Sequence, residues 1–77
     1  MQPNHAPAER HEHHAYPREQ RPTVEVRYQA TWHPGVAYAR WRDDNGGPWY
    51  WVQWRRPETG ANAAWGFRGE DVRLAGD

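Results

Sequence analysis

Six tryptophans in 77 residues, four of them Trp41, Trp49, Trp51 and Trp54, give this chain more large amphipathic ring than so small a fold can hide. Each such ring covers about 150–250 Å² when buried. A domain of roughly 60 residues buries only about 60% of its unfolded surface, so some of the rings must stay at least partly exposed. Clustered exposed aromatic side chains mark a binding surface. The expectation is a small recognition module.

The length allows one domain. Ten basic residues, all Arg, balance ten carboxylates, and the formal charge is zero. That balance argues against a general polyanion binder, whose affinity grows with the number of phosphates it neutralises. Lys, Ile, Ser and Cys are absent, which suggests a GC-rich coding source such as a high-GC bacterium. Without cysteine there is no disulfide, thiolate metal site or cysteine nucleophile. No apolar run is long enough for a signal peptide or a membrane span, so a cytoplasmic monomer is the default expectation.

Residues 1–22 hold four of the five histidines, Pro3, Pro7, Pro17 and Pro22, and a single aromatic residue, Tyr16. Such a segment buries too little apolar area to offset its ordering entropy, which predicts a disordered arm ahead of a domain at 23–77. His11-Glu12-His13-His14 would bring His11 and His14 to one face only on a stable helix, so no metal site and no cofactor is expected there.

From Thr23 the pattern alternates with period two. Val24, Val26 and Tyr28 share one face and Glu25, Arg27 and Gln29 the other, as in a half-buried strand. Pro34-Gly35 reads as a turn. A second strand follows over 36–42, and Asp43-Asp44-Asn45-Gly46-Gly47-Pro48 is the clearest hairpin signal, because Asn-Gly supplies the positive φ of a tight turn. A third strand over 49–56, a turn over 57–62, a fourth strand over 63–67, a short turn at 68–71 and Val72-Arg73-Leu74 complete the chain. Four or five short antiparallel strands with turns this close predict an all-β fold, a small bent barrel.

Val24-x-Val26-x-Tyr28-x-Ala30 resembles the opening strand of Src-homology-3 domains. Pro48-Trp49-Tyr50-Trp51-Val52 resembles their tryptophan-bearing strand, and Ala64-Trp65-Gly66-Phe67 with Asp71-Val72-Arg73-Leu74 their closing strands. Trp32 to Arg40, Trp49-Tyr50-x-Val52 and Asp71-Val72-Arg73 are equally similar to Tudor and agenet barrels. Two features depart from the peptide-binding Src-homology-3 pattern: Arg68 follows Phe67 in place of a proline, and the long acidic loop is missing. The resemblance, over 24–74, implies the barrel and no particular ligand.

Parity sorts the rings. Turning Tyr50, Val52 and Trp54 inward keeps Gln53 wet, whereas the opposite choice buries a bare amide at a cost of about 1–3 kcal/mol. The expected core is Val24, Val26, Ala37, Ala39, Trp41, Tyr50, Val52, Trp54, Val72 and Leu74, with Trp65 or Phe67 closing one end. Tyr28, Trp32, Tyr38, Trp49 and Trp51 are left over. The chain is expected to be no enzyme, since it has no Ser or Cys and its carboxylates are scattered over turns. The leading expectation is a module that binds a protein or peptide through Trp32, Tyr38, Trp49 and Trp51 with Arg40 and Arg55. The alternative is nucleic-acid binding or transcription-associated work by the same arginine and aromatic face.

Overall fold

The computed structural model describes residues 11–76. Six antiparallel strands form one sheet: β1 (His11–Ala15), β2 (Thr23–Tyr28), β3 (Thr31–Arg42), β4 (Pro48–Arg55), β5 (Asn62–Arg68) and β6 (Val72–Leu74). Two 3-10 turns, Arg18–Gln20 and Gly69–Asp71, are the helical elements among the described residues. The strand order is β5-β4-β3-β2-β6, with β1 on β3, and the sheet does not close into a ring. It curls instead. Three strand spacings would separate β2 from β5 by about 14 Å in a flat sheet, yet the rings of Tyr28 and Trp65 lie 5.8 Å apart.

Turn chemistry explains most of the joints. The β2–β3 connection is the two-residue pair Gln29 and Ala30, both at positive φ, 52° and 64°. Non-glycine residues hold that conformation at a cost of roughly 1–2 kcal/mol each, which the flanking Tyr28–Thr31 pair sustains. Pro34-Gly35 is therefore no turn, and β3 runs straight through it. Proline cannot donate to a ladder, and Gly35 is needed for close approach, since a Cβ there would stand 2.7 Å from Val52 Cγ1.

At the β3–β4 hairpin, the Asp43 carboxylate accepts the backbone N–H of Asn45 (3.0 Å) and of Gly47 (2.9 Å). Gly46 takes the positive φ of 79°.

Between the pairs Ala37–Val52 and Ala39–Trp51 the register slips by one residue, and Tyr38 is the extra residue of β3. The bulge splits the apolar set. Val24, Val26, Ala37, Val52, Trp54, Trp65 and Phe67 form the concave core, with Tyr16, Tyr28, Tyr50, Ala63 and Val72 packed against it. Ala39, Trp41 and Trp49 are buried outside that cluster, and Trp41 and Trp49 stack at 6.1 Å and 12°.

Parity thus places Tyr50, Val52 and Trp54 correctly on one face, with Tyr50 only half-buried. Its second assumption, that the other face is wet, is wrong at Trp49. Trp41, assigned to the same core by counting along β3, belongs past the bulge to the opposite face. Both Trp65 and Phe67 are buried, Val72 is half-buried, and Leu74 is 74% exposed because three-residue β6 ends the sheet and projects it beyond the core.

The arm expectation also needs correction over 11–22, while residues 1–10 lie outside the described residues. His11–Ala15 adds to the second half of β3, His14 opposite Arg40 and Ala15 opposite Ala39. Tyr16 N–H donates to the Tyr38 carbonyl (2.9 Å) and Ala37 N–H to that of Pro22 (3.0 Å). An unpaired stretch of β3 edge recruits the segment through its backbone, so its polar side chains hide the strand from a pattern search.

Deleting residues 1–22 should therefore lower stability by about 1–3 kcal/mol in urea unfolding, since backbone hydrogen bonds and the Tyr16 contact are lost; an unchanged midpoint would show that β1 contributes nothing. Trp54→Ala and Trp49→Ala should each cost about 3–5 kcal/mol. Half-buried Trp51 should cost clearly less on truncation, and equal losses at all three positions would contradict this division of the rings.

Candidate functional site

Register across the sheet builds one continuous uncharged strip on the convex face. Thr23, Val36, Gln53 and Ala64 stand opposite one another on four successive strands. Tyr38 lies beside them, its O–H donating to Gln53 Oε1, and the Arg21 guanidinium covers its ring at 4.2 Å. Trp51 comes next, opposite Ala39 on β3 and Gly66 on β5. Gly66 has no side chain, so one flank of that indole adjoins bare backbone. Val36 and Ala64 are exposed, and Tyr38, Trp51 and Gln53 are half-buried.

Of the six residues expected to bind, the structure brings Tyr38 and Trp51 together in the strip and leaves Arg55 at its border. Trp32 lies on the same face but six residues from Tyr38 along β3, about 20 Å of extended chain. There it is clamped, with the Arg73 guanidinium 4.0 Å and that of Arg27 5.5 Å from its ring centre. Both arginines are anchored in turn, Arg27 to Asp71 (2.8 Å) and Arg73 to Glu25 (2.8 Å).

Trp49 is 6% exposed and cannot serve as an outward ring. Its indole N–H donates to Asp43 Oδ2 (3.1 Å), and Arg68 covers the ring at 4.9 Å. Arg40 pairs in register with Tyr50 and so lies on the concave side, away from the strip. Arg55 is exposed at the end of β4, opposite Asn62.

The two mouths of the curled sheet differ. At one, Tyr28 meets Trp54 at 5.0 Å and Trp65 at 5.8 Å, and His33 meets Trp54 at 5.6 Å. The Tyr28 hydroxyl donates to Glu58, and Arg56 covers Trp65 at 5.0 Å. This mouth is plugged by rings in contact with one another. The hydrogen bond to Glu58, followed by burial, raises the Tyr28 pKa, and the same bond lowers that of Glu58. The opposite mouth is open, and Tyr16, Tyr50 and Leu74 line it. None of the three stands out in the sequence as a site residue, because the pattern puts Tyr16 in the arm and Tyr50 and Leu74 in the core. Among the described residues no three His, Asp or Glu side chains are placed to hold a metal ion.

No protein-family model, curated protein or solved structure matches this chain.

Asp43 joins the hairpin to the buried Trp49. The indole N–H first, then the Gly47 and Asn45 amides and the Arg68 charge, hold its pKa below the ordinary aspartate range, against partial burial. A carboxylate depressed in the folded state adds stability that is complete above its unfolded pKa and disappears as pH falls through the folded one. Titration followed by carboxyl NMR should give Asp43 a midpoint below that of an unstructured aspartate. The stability gap between wild type and Asp43→Ala should shrink on acidification through that window; a gap independent of pH would contradict the assignment.

Proposed function

We propose that this chain is a non-catalytic binding module, a small barrel-like sheet of the Src-homology-3 and Tudor kind. It engages a protein or peptide partner through the convex strip of Val36, Tyr38, Trp51, Gln53 and Ala64. The observation that carries this reading is the strip itself, an uncharged surface with two half-exposed rings, built in register across strands and bordered by Arg21 and Arg55. Interface cores are depleted in charge and enriched in Tyr and Trp, with Arg at their margins.

At least five of the eight described Asp and Glu side chains are engaged in structural contacts, which supports a non-catalytic reading. Glu12, Glu25, Glu58 and Asp71 are each paired with an arginine, and Asp43 is taken up by its own turn and by Trp49. Groups held this way are poor candidates for proton transfer. The barrel-like reading is supported by the curl, by the return of β6 to pair with β2, and by the single 3-10 turn joining β5 to β6.

The test is capture of a partner on the immobilised full chain, alongside Val36→Glu, Ala64→Arg and Trp51→Ala. The first two place charge at exposed positions, so their melting temperatures should stay close to wild type while capture is lost. Binding should persist in high salt and after nuclease treatment. Capture unaffected by both charge substitutions would refute the strip, and a partner released by nuclease, or by salt with a steep logarithmic dependence, would favour nucleic acid instead.

A further inference from the structure

The open mouth of the core lies on the face opposite the convex strip and owes nothing to it. A depression of about 300 Å³ sits there among Tyr16, Pro22, Val24, Tyr50, Val72 and Leu74. Tyr50 also lines a second recess, of about 210 Å³, with Glu12, Arg40, Arg42 and Pro48. The two recesses adjoin at Tyr50 as a groove in two parts, one mainly apolar and one carrying Arg40 and Arg42.

Its charges are not equivalent. Arg42 is held by Glu12 (3.3 Å) and by the Gly46 carbonyl (2.8 Å). Arg73, at the apolar end, is held by Glu25. Arg40 is exposed and, among the described residues, has no ion pair. It stands in register between His14 and Tyr50. Leu74, a large aliphatic side chain left 74% exposed on the three-residue terminal strand, is the apolar counterpart. An unpaired cation and an exposed aliphatic side chain thus lie one in each of two recesses that share Tyr50.

We propose that this groove binds an extended acidic peptide, with an aliphatic side chain in the depression beside Leu74 and a carboxylate on the Arg40 guanidinium. A carboxylate matches the planar guanidinium donors and need satisfy only one such cation. A nucleic-acid strand fits less well. It would bring several phosphates to a groove with a single unpaired arginine, Glu12 on its rim and an aliphatic floor.

The test uses the full chain, isotope-labelled, titrated with the blocked hexapeptide Ala-Leu-Ala-Glu-Glu-Ala and with its Gln-for-Glu counterpart. The acidic peptide should shift the Tyr16, Tyr50 and Leu74 amides along a saturable curve. The neutral peptide should bind roughly three- to tenfold more weakly, as expected for the loss of an ion pair on a partly exposed arginine. Arg40→Gln should weaken the acidic peptide by the same factor and leave the neutral one unchanged, while Leu74→Ser weakens both. Arg40 and Leu74 are exposed, so neither variant should disturb resonances outside the groove; Arg55→Gln, elsewhere on the sheet, should bind like wild type. Equal binding of the two peptides, no saturable shift at these amides, or stronger shifts with a thymidine hexanucleotide would overturn the proposal. Each of those results leaves the convex strip to its own test.

Discussion

Between Val52 and Trp51 of β4, strand β3 carries one residue too many, and both the core and the surface follow from that surplus. A β-bulge bends its strand and increases the local twist. Before Tyr38, β3 contributes Ala37 to the concave core. After it, Ala39 and Trp41 join Trp49 on the other face. The surplus residue is a tyrosine whose hydroxyl reaches Gln53, so the bulge also places a ring at the centre of the convex strip. Without the slip, Trp41 would be directed into a core that already holds Trp54, Trp65 and Phe67.

Three devices allow so small a domain to carry six tryptophans. Curling brings rings from distant strands into edge contact, as in the Tyr28, Trp54 and Trp65 group. Turn residues supply polar partners, as Asp43 does for the Trp49 indole. Arginines cover what is left, at Trp32, Tyr38, Trp49 and Trp65. Guanidinium stacks on an aromatic face while its N–H groups remain free for a carboxylate, so one arginine can serve a ring and an ion pair together. Arg27, Arg56 and Arg73 do both. Among the described residues four arginines, Arg27, Arg42, Arg56 and Arg73, are neutralised locally by carboxylates, while Arg40 and Arg55 are exposed and carry no ion pair.

The two proposed surfaces follow from the same arrangement. A curled sheet has a convex side, where residues in cross-strand register make a broad low-relief strip, and a concave side, where the core stays accessible unless a mouth is plugged. Here the Tyr28 mouth is plugged and the Tyr16 mouth is not. The first surface suits a flat partner and the second an extended one, and their physical independence means that either could operate alone.

The first half of β3 is hidden in the sequence by Pro34-Gly35, which reads as a turn, whereas strands β2, β4, β5 and β6 and the second half of β3, the hairpin at Asp43–Gly47, the turn after Arg56 and the 3-10 turn at Gly69–Asp71 are legible in the sequence by itself. They depend on neighbours a few residues away: alternation, glycine at positive φ, an Asx carboxylate over its own turn. The surplus of rings over available burial is equally a property of composition. Only the tertiary structure decides which rings are hidden. The bulge at Tyr38, the recruitment of His11–Ala15 to a free strand edge, the loss of Trp49 to the interior and the separation of Arg40 from Tyr38 and Trp51 all arise from contacts between segments remote in the chain. Burial is a property of what arrives from elsewhere to cover a side chain, and a pattern read along one strand carries no record of it.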